Sequence, residues 1–138
     1  MISVKLMACG THVVRDADSN TVSIFNILEG IAGAGFPLLV QSFAALVILQ
    51  RDPTADAAEH DGTFEISIGG QQLVRANVHV NFEDKKHTRQ IVRLNGMVVP
   101  APGTLEMRFQ MGELSQAYTI AIEALTPAQI QAIQGGVS

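Results

Sequence analysis

The stretch LVRANVHVNF, residues 73–82, decides the fold. Its alternate residues Val74, Ala76, Val78, Val80 and Phe82 are apolar. The residues between them, Arg75, Asn77, His79 and Asn81, all carry hydrogen-bonding groups. A period of two is the signature of an extended strand with one face on a core and the other in water. The same alternation runs through the rest of the chain. Ile2, Val4, Leu6 and Ala8 alternate with Ser3, Lys5, Met7 and Cys9, and TLEMRFQM (104–111) sends Leu105, Met107 and Phe109 one way and Glu106, Arg108 and Gln110 the other.

Turn signals separate these segments. DADSNT (16–21) carries Asp, Ser and Asn side chains that bond nearby backbone. GGQQ (69–72) lies between two alternating runs and predicts a hairpin, because glycine tolerates the positive φ of a tight turn. RDPTADAAEHDG (51–62) is a polar connector, and EDKKHTR (83–89) is read as a solvated hairpin tip. Its Lys85, Lys86 and Arg89 offer at most a weak cationic patch for an acidic partner. QIVRLNGMVVP (90–100) is read as one strand with a bulge at Gly96. EGIAGAGFP (29–37) is read as a flexible crossing between sheets, since its glycine spacing and the strand that follows do not build a phosphate cradle.

About eight strands result, and the expected architecture is an all-β antiparallel β-sandwich, Ig-like or jelly-roll-like, formed by residues 1–138 as a single domain. The tail differs. Thr126 as N-cap, Pro127 in the first turn, Gln129 three residues past the cap and the stop at Gly135-Gly136 predict a short C-terminal α-helix over 125–135. Ile130 and Ile133 would share one face and cover a sheet edge.

Composition excludes several classes of function. Nine Lys and Arg against 13 Asp and Glu give a net charge of −4, with no basic cluster of the kind nucleic acid requires. The single Cys9 excludes an intrachain disulfide and fits a reducing, cytoplasmic setting. No apolar run is long enough to span a bilayer. His12, His60, His79 and His87 lack metal-motif spacing, and no nucleophile, zincin or Walker motif occurs. The expectation is therefore a non-enzyme with no metal and no cofactor.

Two candidate surfaces stand out. The first is the polar strand face, Arg75, Asn77, His79 and Asn81, extended by Arg93, Asn95 and Arg108. Arginine forks and amides of this kind suit a carbohydrate or a small anion. The second is LLVQSFAALVILQ (38–50), read as one long strand that is apolar on both faces. Leu39, Phe43, Val47 and Leu49 are expected to need a cover: the C-terminal helix, the IAGAGF loop or a second subunit. This predicts a self-associating interaction or structural module, with the ligand-binding face as the alternative.

The order of features is similar to that of a family of small uncharacterised bacterial and phage-associated β-sandwich domains, a domain of unknown function. The likeness rests on Ser23 to Ile27, the Phe36-Pro37 step and Pro100 to Arg108, with Leu105 where such domains often carry Tyr. It implies the fold and supplies no activity, substrate or catalytic residue.

Overall fold

A computed structural model describes residues 1–135 of the chain. Twelve strands form two packed sheets and a covering hairpin, so the fold is all-β and sandwich-like. One sheet has five strands in the order β4 (Gly30–Gly33), β12 (Leu114–Ala124), β11 (Gly103–Met111), β7 (Glu59–Ile68) and β8 (Gln71–Asn81). All its pairings are antiparallel except β4 with β12. The other sheet has β1 (Ser3–Gly10), β6 (Phe43–Gln50) and β9 (His87–Leu94), extended by the pair β5 (Leu38–Val40) and β10 (Met97–Val99).

The alternation read from residues 73–82 holds. Val80 and Phe82 are buried, Val74 and Val78 pack against the core, and Arg75, Asn77, His79 and Asn81 are exposed. The core forms where Phe64, Ile66, Leu105, Met107 and Ile120 of the five-stranded sheet meet Cys9, Phe43, Ala45, Met97 and Val99 of its partner sheet. The β7–β8 hairpin closes at Gly69-Gly70, both with positive φ (56° and 81°), as the two-residue turn requires.

Four expectations are corrected. Residues 38–50 are two strands, and so are residues 90–100. Phe43 pairs with Leu94 and Val40 with Met97, so both strands advance three residues across the gap and the ladder keeps its register. No residue is inserted on one side alone, so Gly96 (φ 116°) sits in a paired break opposite Gln41-Ser42, not in a bulge. Gly30–Gly33, read as a crossing, is an edge strand parallel to β12. Residues 83–89 are no hairpin tip: 83–86 carry the chain from β8 in one sheet to β9 in the other, and His87, Thr88 and Arg89 already belong to β9.

The fourth correction concerns the doubly apolar segment. Phe43, Val47 and Leu49 point into the sandwich and are buried in its core, so they cannot form a subunit surface. The opposite row, Ala44, Leu46 and Ile48, is the one that needed a cover. The cover comes from the same chain: β2 (His12–Arg15) and β3 (Val22–Phe25) form a hairpin whose Val13, Val22 and Ile24 pack on that row and on Ile91. Alternation identifies two faces but not which one looks inward when both are apolar.

The helix α1 (Pro127–Gly135) forms behind the expected cap. The Gln129 amide N–H donates to Thr126 Oγ1 (3.1 Å), and the Thr126 N–H donates to Gln129 Oε1 (2.8 Å), a reciprocal capping box. Ile130 is half-buried. The side chain of Ile133 and the stop at Gly136 lie outside the described residues.

Candidate functional site

The polar face is built by register. On the outer side of the five-stranded sheet, Arg75 lies opposite Glu65, Asn77 opposite Thr63, His79 opposite Asp61 and Asn81 opposite Glu59, while Arg108 of β11 lies opposite Glu65 on its other flank. Cross-strand neighbours of opposite charge pair readily. Arg75 Nη1 donates to Glu65 Oε1 at 3.0 Å. Arg108 donates through Nε to Glu106 Oε1 at 2.9 Å and through Nη1 to Ser115 Oγ at 2.8 Å, and its Nη2 lies 2.8 Å from the same carboxylate oxygen. Asn81 Oδ1 accepts the Glu83 N–H at 2.8 Å, a turn bond rather than a ligand contact. The cations of this face therefore already hold carboxylates.

His79 is exposed but paired in the same way. Its Nδ1 lies 2.8 Å from Asp61 Oδ1 and its Nε2 lies 3.4 Å from Glu59 Oε1. Both ring nitrogens face acceptors, so the imidazolium is favoured, first by Asp61 and then by Glu59, and the pKa is raised above the ordinary histidine value. The sign follows from the raised folded-state value. Stabilisation by this cluster is complete below the unfolded-state histidine pKa and disappears as pH rises through the folded-state one. An NMR titration of the imidazole carbons is expected to show a high midpoint for His79 that Asp61→Asn lowers. A midpoint unmoved by Asp61→Asn refutes the pairing.

The structure does not bring Arg93 and Asn95 to this face. Both belong to the other sheet. Arg93 Nη2 donates to Val13 O at 3.1 Å, and Arg89, four positions back on the same face of the strand, donates through Nη2 to Asn20 O at 2.8 Å. These two arginines flank Ile91 on the outer side of β9 and fasten the β2–β3 hairpin over the apolar row: Arg93 at β2, Arg89 at the tip. A groove of about 410 Å³ runs beside β2, lined among others by His12, Arg15, Ser42, Arg93 and Asn95.

The most buried charged side chain is one that reads in sequence as the start of a polar connector. Arg51 is 6% exposed. Its guanidinium donates to three backbone carbonyls: Lys85 O (Nε, 2.8 Å), Asp56 O (Nη1, 3.2 Å) and Glu83 O (Nη2, 3.0 Å). It lies 5.4 Å from the centre of the Phe82 ring. Arg51 thus ties both intersheet connections, 51–58 and 82–86, to the end of β6. Its role is architectural, and it sets where Lys85 and His87 stand.

Cys9 is fully buried with Sγ 3.7 Å from Leu28 O, and burial pushes its thiol pKa up to about 11. A thiol so protected is a packing group and not a nucleophile. Among the described residues, no group of three or more His, Cys, Asp and Glu side chains is arranged to hold a metal, and no helix is long and apolar enough to cross a membrane. No protein-family model matches the chain, and no curated protein matches its sequence.

Proposed function

We propose that this domain is a non-catalytic interaction module that self-associates through the uncovered outer face of the β5–β10 pair. One observation carries the reading. The hairpin covers Ala44, Leu46 and Ile48, but beyond the break Leu38, Val40, Met97 and Val99 pack on the core, and Leu39 and its ladder partner Val98 alternate to the outside. These two side chains touch no cover, and each is 56% exposed. At the same end, the hairpin base presents Phe25 and Ile27, also more than half exposed. Large apolar side chains grouped on a surface mark contact sites, and four of them suit the centre of an interface. A second copy of the chain is the simplest partner, because it brings the same apolar end to an isologous contact.

The reading includes a cytoplasmic setting, supported by the one reduced cysteine. It also includes the likeness to bacterial and phage-associated sandwich domains, which supplies no competing activity. Self-saturation of the Arg75/His79/Arg108 face speaks against that face as the ligand site, because a ligand there must displace existing ion pairs.

Size-exclusion chromatography with light scattering tests the proposal. Wild type is expected to be dimeric or larger at micromolar concentration, and Leu39→Lys with Val98→Lys is expected to be monomeric with an unchanged circular dichroism spectrum. A strictly monomeric wild type overturns it.

A further inference from the structure

The cations of this chain are distributed unevenly once their partners are considered. Of nine Lys and Arg residues, Arg51 is buried against carbonyls and Arg75 and Arg108 hold carboxylates. Among the described residues, none of the other six is in an ion pair. Three of those six, Arg15, Lys85 and Arg89, line one pocket of about 220 Å³, together with Asn20, His87 and a single carboxylate, Glu83. The pocket lies between the tip of the β2–β3 hairpin and the connection that Arg51 anchors.

Geometry at Arg89 strengthens the case. Its Nη2 is bound to Asn20 O, while Nη1 is shielded from solvent and has no hydrogen-bond acceptor among the described residues. A guanidinium nitrogen left without an acceptor away from water is costly, and such groups ordinarily find a partner. The hairpin acid Asp16 does not supply one. Asp16 is turned back on the tip, where its Oδ1 accepts the N–H groups of Asp18 (2.8 Å) and Ser19 (3.2 Å). His87 Nε2 sits 3.3 Å from Gln50 Oε1, which leaves Nδ1 uncommitted.

We infer that this pocket binds a tetrahedral oxyanion, a phosphate or a phosphoryl group carried on a larger molecule. Two guanidinium groups and an ammonium reach it from three elements: Arg15 from β2 of the hairpin, Lys85 from the β8–β9 connection and Arg89 from β9. That spread suits an anion with oxygens pointing several ways better than a planar carboxylate, which a single arginine fork satisfies. The volume admits one such group. A small turn of the Arg89 side chain brings Nη1 to the anion and removes its unpaired state. The pocket is at the hairpin tip and the apolar contact surface is at the hairpin base, so failure of one proposal leaves the other standing.

Inorganic phosphate, titrated against the ¹⁵N-labelled full chain at matched ionic strength with chloride as blank, tests the site. Saturable shifts are expected at Asn20, at the amides of 83–89 and at the Arg15 and Arg89 Nε–H groups. Arg15→Gln and Lys85→Gln, both exposed positions, are each expected to weaken binding about tenfold. Arg89→Gln is expected to abolish it, and the two exposed variants keep the test valid if loss of the Asn20 tie loosens the hairpin. A phosphoserine peptide that binds more tightly than inorganic phosphate, with its unphosphorylated form inert, identifies a protein-borne phosphoryl group. The reverse order identifies the free anion. Absent or non-saturating shifts, equal affinity in Arg15→Gln and Lys85→Gln, or acetate binding as well as phosphate, each overturns the inference.

Discussion

Replacing Arg51 by alanine is expected to destabilise the fold by about 3–5 kcal/mol. The figure follows from three hydrogen bonds donated by a charged group, at roughly 1.5–3 kcal/mol each, discounted for water entering the vacated site. Three carbonyls, of Asp56, Glu83 and Lys85, lose their donor together, and Phe82 loses the cation against its ring. Arg51→Lys is expected to recover only part of the loss, because one ammonium cannot reach three carbonyls set apart by a planar fork. Urea unfolding gives the total. Hydrogen exchange gives the location: protection is expected to fall first at the Phe82 N–H, bonded to Ala58 O, and the Lys85 N–H, bonded to Phe82 O. A change under about 1 kcal/mol, the range of ordinary surface substitutions, means the anchor does not hold the two connections. The same variant links fold to site, since Lys85 stands in the phosphate pocket only while its own carbonyl is held.

The particular residues show why some of this was legible in sequence and some was not. The strand at 73–82, the Gly69-Gly70 turn and the Thr126–Gln129 cap depend on neighbours along the chain or on a period of two, and both are visible in a one-dimensional string. Residues 43–49 carry apolar groups on both sides, so the string shows that two covers exist and not which face meets the core. The choice belongs to β2–β3, a hairpin that a sequence reading sees only as a turn between two short runs. Arg93 and Asn95 show a related limit. Alternation put them outward correctly, but outward from which sheet depends on the crossover within 83–89, which resembles a hairpin tip by composition. Arg51 was missed because an arginine followed by Asp-Pro has the composition of a surface loop; its three acceptors come from segments up to 34 residues away. Arg15, Lys85 and Arg89 likewise converge only through that crossover.

Phe109→Ala and Arg108→Ala, one residue apart on β11, put the alternation itself to a quantitative test. Phe109 is 1% exposed and packs with Val47, Leu49, Val80, Phe82 and Met111 between the two sheets. Its ladder partner on β7 is Phe64, also fully buried, so the space left by the ring is walled by strands that cannot close on it without breaking register. Truncation of a buried phenylalanine in such a site costs about 3–5 kcal/mol, in which lost transfer energy and the residual cavity both count. Arg108 points to the opposite side, where its exposed pairing with Glu106 contributes at most about 1 kcal/mol. Equilibrium denaturation of the two variants is therefore expected to show a large drop in midpoint for Phe109→Ala and a small one for Arg108→Ala, at a similar slope. A strand shifted by one residue would exchange the two results, because every side chain on it would change faces. Equal costs at the two positions would mean that β11 is not held between a core and a solvated face, and the sandwich assignment would fall with it.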